Sequence, residues 1–368
     1  MRILYVTTIS LTVNSFFKPH IDMLVKEGHT VEIACNAREL PLDPFYTELG
    51  CAFHQIDFSR SRMSRDHIKA YGQLKRLVAA GAYDIVHCHT PNASVITRLV
   101  CRRWRKKTGL RVFYTAHGFH FFKGASKLNW MIYYPIEKLC ARMTDKLITI
   151  NREDYALAKR KFKAGKVLYV PGVGIDPSKF SEITVDRAEK RRSLGIPEDA
   201  KLILSVGELN ENKNHRLVIG ALSQMSDARV HYAIAGDGPL AKTLCAFADE
   251  CGIADRVHLL GYRSDIAELY RVADVFCHPS LREGLPVSLM EAMACGLPVA
   301  CSRIRGNADL IHDDGGALFD PRDGADCRHA LEAVLGGDLG NMGDVNRKNA
   351  QRYSVGDILA QMKSIYES

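Results

Sequence analysis

The chain has 368 residues, 46% of them apolar and 25% charged, which are ordinary values for a globular protein with a sizeable core. Its 13 Pro and 28 Gly are too few for a collagen-like or disordered chain, and no stretch approaches 18 continuous apolar residues, so no membrane-spanning helix is predicted. Residues 1–170 carry 28 Lys and Arg against 13 Asp and Glu, net +15, whereas the remainder carries 22 against 29, net −7. Opposite signs favour two domains with different partners, and the basic half favours phosphates, nucleic acid or an anionic membrane.

Short β-branched apolar runs alternate with longer amphipathic stretches, and this rhythm restarts after the middle of the chain. The predicted strands are Ile3–Thr7, Thr30–Cys35, Asp84–Cys88, Val112–Ala116, Lys146–Ile150, Lys201–Val206, Val230–Ala235, Arg256–Leu260, Asp274–His278 and Pro298–Cys301. The predicted helices include Phe16–Glu27, His67–Ala80, Ser94–Lys107, Trp130–Arg142, Leu240–Cys251, Val287–Cys295 and Val355–Tyr366. Such alternation predicts an α/β protein whose parallel sheets are covered by helices on both faces.

A Pro- and Gly-rich segment at 170–177 marks the join between the two sets of strands. We therefore expect an N-terminal domain at 1–170 and a C-terminal domain at 171–353, with the helix at 354–368 packing back on the first. The predicted architecture is two doubly wound, Rossmann-like domains facing a central cleft. Ligands of such sheets bind outside the carboxyl ends of the strands, so the loops after each strand are the places to look for chemistry.

Eleven cysteines, an odd number without any C-x-x-C pair, favour reduced thiols in a cytosolic protein. The apolar start Met1–Val6 soon reaches polar residues, which is typical of a strand rather than a signal peptide. We expect a cytoplasmic protein, with peripheral membrane attachment left open.

The segment from Glu283 to Glu291 follows a predicted strand and opens a helix, with Pro286 near its first turn. Free N–H groups in that turn, together with the Gly284 backbone, make an anion site. Glu283 precedes the helix and Glu291 lies inside it, so the two carboxylates can reach different parts of one ligand. This pattern suits a polyhydroxylated ligand that carries a diphosphate, although a solvated loop Glu and an ordinary helix Glu would look the same.

Two further turns follow strands of the second half. Lys213 lies between the strand Lys201–Val206 and the next helix, where a lysine can reach a phosphate as a point charge. The turn at 235–239 contains Gly236 and Gly238, which allow close backbone approach. Neither a G-x-G-x-x-G fingerprint nor a P-loop occurs, which disfavours a nicotinamide enzyme and a P-loop ATPase.

The first half offers His117, beside a glycine at the end of a predicted strand, and a polar loop at 7–15 that contains Asn14 and Ser15. That loop could donate to an anion or be plain surface. His87 and His89 share one face of a strand, but no Asp, Glu or Cys cluster stands at ligand spacing, so no metal site is predicted.

Taken together, these segments resemble family 4 of the retaining glycosyltransferases, of the type that acts on lipid-linked sugars or builds exopolysaccharide. The resemblance covers nearly the whole chain in order, from the motifs at 84–89 and 116–118 to those at 206–213, 236–239, 273–275 and 283–299. It implies the GT-B fold and transfer of a hexose or N-acetylhexosamine from a UDP-sugar to an acceptor hydroxyl, with retention of configuration and without a metal or cofactor. The acceptor would be a lipid-linked or growing polysaccharide in bacterial surface glycan synthesis.

The resemblance also implies roles for individual residues. Catalytic roles fall to His117 near the transferred sugar, Glu283 facing the sugar hydroxyls, and Lys213 on the diphosphate. Glu291 would bind the ribose, and Tyr262 and Arg263 would border the base. The full implied donor-binding set is Asn14, Ser15, Gly207, Glu208, Asn210, Gly236, Gly238, Tyr262, Arg263, Gly284, Leu285, Pro286 and Glu291.

One departure concerns the diphosphate: Glu208 stands where the family usually has an arginine, so one expected cation is missing. Either Arg263 or a residue of the first half substitutes for it, or Glu208 marks a subgroup of the family with a different geometry.

The acceptor side carries two basic runs, one at 98–107 that includes Trp104 and one at 159–166. A basic helix end with an aromatic residue suits an anionic membrane surface and a polyprenyl-diphosphate-linked acceptor, and solvated helix faces are the alternative. A nucleotide-sugar isomerase of the 2-epimerase type is the rival function on the same fold. Nucleic acid is not expected as a partner, because aromatic stacking motifs are lacking and the second half is acidic.

Overall fold

A computed structural model describes residues 1–61, 64–181, 183–312 and 314–368, and the chain divides into two compact units. The N-terminal unit comprises 1–173 and 358–368, and the C-terminal unit comprises 174–357. Within the described ranges, no helix combines the length and the apolar character that crossing a membrane requires.

The N-terminal unit is built on a seven-stranded parallel sheet in the order β3-β2-β1-β4-β5-β6-β7. Its strands are β1 (Arg2–Ile9), β2 (Thr30–Asn36), β3 (Ala52–Gln55), β4 (Ile85–His89), β5 (Arg111–Ala116), β6 (Lys146–Thr149) and β7 (Lys166–Tyr169). Its helices are α1 (Ser10–Phe16), α2 (Lys18–Lys26), α3 (Pro44–Glu48), α4 (Asp66–Gly81), α5 (Pro91–Thr108), α6 (Lys127–Ala141) and α7 (Arg152–Lys161).

The C-terminal unit is built on a six-stranded parallel sheet in the order β10-β9-β8-β11-β12-β13. Its strands are β8 (Lys201–Val206), β9 (Val230–Ala235), β10 (Val257–Gly261), β11 (Val275–His278), β12 (Val299–Ser302) and β13 (Gly316–Phe319). Its helices are α8 (Ser178–Ser181), α9 (Arg187–Ser193), α10 (His215–Ser223), α11 (Ala241–Glu250), α12 (Ile266–Val272), α13 (Val287–Ala294), α14 (Asn307–Leu310), α15 (Gly324–Leu335) and α16 (Leu339–Ala350). The helix α17 (Val355–Glu367) begins in this unit and ends in the N-terminal one.

The inner strands read as continuous apolar runs because both faces of a parallel sheet are covered by helices. In β4 and β9, for example, every residue is buried. Each sheet reverses its strand order once, between β1 and β4 and between β8 and β11. Such reversals open a crevice at the carboxyl ends of the two strands, where ligands of doubly wound sheets bind.

The ten predicted strands are all present, whereas β3, β7 and β13 were not predicted. All three lie at sheet edges and have only four residues each. Edge strands are exposed on one side, so their sequences lack the apolar run that identifies an inner strand.

The prediction of a polar loop at 7–15 is wrong. Thr7 and Thr8 belong to β1, and the segment from Ser10 onward is the helix α1. Val13 is fully buried in α1. Ser10, at the start of the helix, is buried as well. Tertiary packing of these two residues therefore stabilises a helix that the local sequence pattern did not indicate.

A buried ion pair joins α5 to α6. Arg98 and Glu137 have side chains 0% and 8% exposed, and the Arg98 Nη1 lies 2.8 Å and Nη2 3.1 Å from the two carboxylate oxygens of Glu137. The Arg98 guanidinium also lies 4.2 Å from the centre of the Tyr114 ring on β5. The pair therefore fixes how α6 is rotated against the sheet.

We predict that Glu137→Gln destabilises the N-terminal unit by about 3 kcal/mol, because it leaves the Arg98 charge buried without a counter-charge. Urea unfolding measures the change in the free energy of unfolding, and hydrogen exchange of the α5 and α6 amides locates it in this unit. Arg102→Gln, on the exposed face of the same helix, is the matched control and should change stability by less than about 0.5 kcal/mol. Equal unfolding midpoints for the two variants would contradict the prediction.

Candidate active site

The centre of the C-terminal unit's site is the Glu283 carboxylate, in the loop between β11 and α13. Its Oε1 accepts from Lys213 Nζ at 2.8 Å and lies 3.2 Å from His278 Nε2 at the end of β11. Burial raises the pKa of Glu283, but the Lys213 charge and the His278 hydrogen bond outweigh burial and hold that pKa well below the usual range of a carboxyl. Glu283 is therefore ionised although its side chain is only 15% exposed.

Lys213 reaches Glu283 because of the turn after β8. The Asn210 side-chain oxygen accepts from the Lys213 backbone N–H at 3.0 Å and caps a single 3-10 turn at Glu211–Lys213. A Cβ on Gly207 would lie 3.0 Å from Lys213 Cε, so the absence of a side chain there leaves room for the lysine. Glu208, beside it, is exposed to solvent.

Two asparagines that the sequence patterns did not single out attach this turn to the Glu283 loop. Asn212 Nδ2 donates to the Arg282 carbonyl at 3.0 Å, and the Asn212 carbonyl accepts from Leu281 N–H at 2.8 Å. Asn214 adopts a left-handed backbone and donates to the Pro279 and Pro321 carbonyls. The alternate asparagines at 210, 212 and 214 were the available signal, since asparagine is favoured in such turns.

The backbone of the Glu283 loop is held from the other side by Arg305 and Gly306. Arg305 Nε donates to the Glu283 carbonyl at 3.1 Å. Gly306 has φ +82°, and a Cβ there would lie 2.4 Å from the Gly284 carbonyl oxygen. Only glycine fits that close approach, so Gly306 supports Gly284 directly.

The helix α13 begins immediately after this loop, with Pro286 as its N-terminal cap and no side chain bonded to the first turn's N–H groups. Leu285 is buried and anchors the loop. The first N–H groups of an α-helix lack intrahelical partners and form a site for a negatively charged group. The structure thus brings together Lys213, Glu283, Gly284 and the start of α13.

Glu291 lies within α13 in a different environment. Its Oε2 accepts from the Tyr270 hydroxyl at 3.1 Å, and that hydroxyl also lies 3.0 Å from the Ser288 carbonyl. Burial raises the pKa of Glu291 to about 7, and the Tyr270 hydrogen bond offsets only part of that rise. The two carboxylates of the motif therefore have pKa values shifted in opposite directions.

The glycines after β8 and β9 lie against one another. A Cβ on Gly236 would lie 1.9 Å from the Gly207 carbonyl, and one on Gly238 would lie 2.6 Å from the Leu209 carbonyl. Gly236 N–H also donates to the Gly261 carbonyl at the end of β10. The turns after β8, β9 and β10 therefore pack backbone against backbone, with no side chain of these glycines between them.

Tyr262 and Arg263 follow β10. Tyr262 is 85% exposed. Arg263 is held bidentately by Asp265, with Nε 2.8 Å and Nη2 2.5 Å from its two oxygens, and Lys190 shares the same carboxylate. Because its charge is already balanced there, Arg263 is a poor substitute for the arginine that Glu208 replaces.

In the N-terminal unit, His117 follows β5 directly, and its Nε2 lies 3.1 Å from His89 Nδ1 at the end of β4. Burial and the nearby His20 lower the pKa of His117 to about 4. The imidazole is therefore neutral at pH 7, able to exchange a hydrogen bond but not to supply a positive charge. Within the described ranges, no three His, Cys, Asp or Glu side chains are grouped as a metal ion would need.

Asn14 and Ser15 lie on α1, not in a loop. The Asn14 amide donates to the Pro41 carbonyl at 3.0 Å and accepts from Asp43 N–H at 3.0 Å, so it secures the segment after β2. Ser15 is exposed. The structure thus gives Asn14 a local structural role in place of the loop geometry that the sequence suggested.

Two adjoining cavities open at the carboxyl ends of the N-terminal sheet. One, of about 610 Å³, is lined by Ser10, Asn36, Arg38 and Lys69 among others. The other, of about 350 Å³, is lined by Thr8, Thr90, Asn92, His120 and Tyr133 among others. Ile9 and Arg60 line both, so the two cavities are neighbours beside the β1–β4 reversal, and together they are called the hollow below.

Both halves of the chain are similar to known glycosyltransferases. Residues 2–151 match the family described as Glycosyl transferase 4-like, and residues 186–352 match Glycosyl transferases group 1. The chain is 33% identical over 376 residues to the putative glycosyltransferase EpsD of Bacillus subtilis strain 168, covering all of this chain and 96% of that protein. It is 27% identical over 337 residues to the Escherichia coli UDP-Gal:alpha-D-GlcNAc-diphosphoundecaprenol alpha-1,3-galactosyltransferase, covering 89% and 86% of the two.

Solved structures agree in fold. Anabaena HepE in complex with UDP superposes with a TM-score of 0.78 at 18% identity over the full length of both chains. WaaG, a glycosyltransferase of lipopolysaccharide biosynthesis, gives 0.75 at 19% over 99% of both. The fold is GT-B, the two-Rossmann fold of sugar-transferring enzymes. The chain belongs to the group 1 glycosyltransferases of the family 4 type and is an enzyme of that class.

We predict that Gly306→Ala destabilises the protein by about 2 kcal/mol more than a control without the clash, because the added Cβ displaces Gly284 and the start of α13. Gly252→Ala is the matched control: Gly252 has φ +68° with open space where a Cβ would stand, so it introduces the same backbone strain without the clash. Urea unfolding of both variants measures the difference. Equal destabilisation of the two would refute the close packing of Gly306 on Gly284.

The raised pKa of Glu291 predicts a pH-dependent stability. Because this pKa lies above its unfolded value, the stabilisation from the neutral carboxyl is complete below the ordinary pKa of 4.5 and is lost as pH rises through about 7. Glu291→Gln stays neutral, so its stability relative to wild type should rise by about 2 kcal/mol between pH 5.5 and pH 8. Urea unfolding at both pH values measures this, and Glu250→Gln on exposed α11 should show no such change.

Proposed function

We propose that the protein transfers a hexose or N-acetylhexosamine from a UDP-sugar to a hydroxyl of a lipid-linked or growing polysaccharide acceptor, with retention of anomeric configuration. The observation that carries the proposal is the ionised Glu283 carboxylate, held by Lys213 and His278 directly before the free amides of α13, in a chain of this family. Support for UDP comes from HepE, which was solved with UDP, and from the E. coli relative named for UDP-Gal.

In this proposal Lys213 serves both carboxylate and diphosphate. A lysine ammonium has three donors, so Lys213 can keep its bond to Glu283 while it donates to a phosphate oxygen. Glu208 adds negative charge at the position where a second cation is usual, so Lys213 and the amides of Gly284 and α13 supply most of the stabilisation of the leaving diphosphate. This is electrostatic catalysis aimed at the charge that develops as UDP leaves.

Glu283 is proposed to accept hydrogen bonds from hydroxyls of the donor sugar. Because Lys213 and His278 already bind one of its oxygens, its position is fixed before the donor arrives, which removes the cost of orienting it. Glu291 is proposed to bind the ribose hydroxyls, and Tyr262 to border the base.

The bond changes balance without a further reactant. The bond between the sugar C1 and the diphosphate oxygen breaks, a bond from C1 to the acceptor oxygen forms on the same face, and the acceptor proton passes to the departing phosphate. His117, neutral at pH 7, is proposed to bind a hydroxyl of the transferred sugar. No metal or cofactor enters the proposed step.

The acceptor is proposed to be a polyprenyl-diphosphate-linked sugar, bound in the hollow at the carboxyl ends of the N-terminal sheet. Support comes from the diphosphoundecaprenol in the name of the E. coli relative and from the exopolysaccharide type of the resemblance. Arg60 lines both cavities and is a basic group that suits a phosphate-bearing molecule, whereas Lys69 pairs with Asp66 at 3.8 Å. We place the reaction in the cytoplasm, at the inner membrane surface. The isomerase alternative gains no support from the relatives found.

We predict that Lys213→Ala lowers the rate of acceptor-dependent UDP release by roughly 100-fold or more, because it removes the cation for the leaving group and frees Glu283 from its partner. A coupled assay for UDP, with UDP-hexose or UDP-N-acetylhexosamine and a lipid-linked acceptor, measures the rate. Lys348→Ala, at an exposed position of α16, is the control and should keep wild-type rates. Full activity of Lys213→Ala and Glu283→Ala would contradict the assignment, and conversion of the UDP-sugar without acceptor would indicate an isomerase.

A further inference from the structure

The helix α6 exposes a continuous apolar face in the N-terminal unit. Its five exposed large apolar side chains are Leu128 at 58%, Met131 at 74%, Ile132 at 41%, Ile136 at 39% and Leu139 at 57%. Their spacing of 3, 1, 4 and 3 residues places them on one side of the helix. Monomeric proteins rarely leave such a contiguous apolar stripe in water, so this face is an interaction surface.

The opposite side of α6 is committed to the protein. Trp130, Tyr133 and Tyr134 pack on the core between the sheet and α5. Glu137 lies on this inner side and is bound by the buried Arg98. Because the ion pair and the three aromatic rings fix the rotation of the helix, the apolar stripe cannot turn inward.

Positive charge surrounds the stripe. Residues 85–144 contain eleven Lys and Arg and a single acidic residue, Glu137, which is buried. Two acids that follow this segment are engaged: Asp145, 31% exposed, pairs with Arg105, and Glu153 accepts from the Lys123 backbone N–H at 2.7 Å. Lys123, Lys127, Lys138 and Arg142 are exposed on and beside α6. On the neighbouring α5, Arg102, Arg103, Lys106 and Lys107 are exposed as well.

We propose that this α6 face docks on an anionic lipid bilayer, with the helix lying in the interfacial plane and its five apolar side chains entering the acyl boundary. An apolar helical face bordered by cations, with no exposed carboxylate, is the pattern of interfacial helices. Cations near an anionic surface add electrostatic attraction to the burial of the apolar side chains. A protein partner would have to match the same face with apolar and acidic groups together.

Docking in this orientation has a consequence for the acceptor, which rests on the proposed function. Tyr133, on the inner side of α6, lines the 350 Å³ cavity and stacks on His120 with ring centres 4.6 Å apart. The cavity and the docking face are thus on opposite sides of one helix, about 10 Å apart. A sugar carried on a membrane lipid by a diphosphate linker would reach the cavity without leaving the bilayer surface.

Flotation of the purified protein with vesicles tests the docking. We expect binding to vesicles of 70% phosphatidylcholine and 30% phosphatidylglycerol. Binding to pure phosphatidylcholine vesicles should be weaker by roughly tenfold or more. Met131→Asp should weaken binding to the anionic vesicles by roughly tenfold or more. Ile68→Asp, at a side chain 77% exposed on α4, removes a similar apolar group and adds the same charge, so it is the matched control and should bind as wild type.

Three results would overturn the proposal. The first is that the wild type does not bind vesicles, and the second is that Met131→Asp and Ile68→Asp weaken vesicle binding equally. The third is that light scattering shows a dimer which Met131→Asp dissociates, with no vesicle binding. That result would make α6 an interface between copies of this chain. UDP-induced thermal stabilisation, measured on the same samples, verifies that each variant is folded. That measurement also separates the docking proposal from the proposed function. If UDP does not stabilise the wild type, the donor assignment is refuted, but the vesicle-binding result still tests the docking.

Discussion

Parallel pairing of every strand with its neighbours in both sheets is the constraint on which the rest of the structure depends. Parallel strands all end at the same edge, so segments far apart in sequence are brought together there. Lys213 and Glu283 are 70 residues apart, yet β8 and β11 are adjacent strands, and the turns that follow them meet. The strand order reverses between these same two strands, which opens the crevice in which both side chains lie.

The two carboxylates of the Glu283–Glu291 motif show how partners decide the charge of a buried group. Both are largely enclosed, and burial alone disfavours ionisation of each. Glu283 has a cation and an imidazole within 3.2 Å and has a lowered pKa, whereas Glu291 has only the Tyr270 hydroxyl and has a raised pKa. The site therefore has one fixed negative charge next to the amides of α13 and one group that gains its charge near neutral pH. Such a site suits a ligand that carries both hydroxyls and phosphates. The carboxylates can accept hydrogen bonds from the hydroxyls, and the amides of α13 and Lys213 can bind the phosphates.

Sequence patterns predicted the inner strands because burial on both faces gives a continuous apolar run. They also predicted the edge strand β10, but they missed the edge strands β3, β7 and β13, which have only four residues each. They also singled out Glu283, Lys213 and Gly284, which lie in turns after predicted strands. They could not find the Lys213–Glu283 ion pair or the support from Arg305 and Gly306, because nothing local records which strands become neighbours. The sequence suggested Arg263 as a replacement for the missing cation. Its partner Asp265 is only two residues away, but the structure was needed to show that the two form a pair.

The helix α6 shows a limit of a different kind. Both of its sides are apolar, one aromatic and one aliphatic, and the side that contains the acidic Glu137 would ordinarily be expected in water. The buried Arg98 reverses that expectation, because it draws Glu137 and the aromatic rings inward and leaves the aliphatic side chains outside. A buried ion pair is weak evidence for stability, since apolar residues of similar size often replace one without loss. Its effect here is on the orientation of α6. It also buries the only carboxylate between residues 85 and 144, so the side chains that α5 and α6 expose are apolar or positively charged and none of them is acidic.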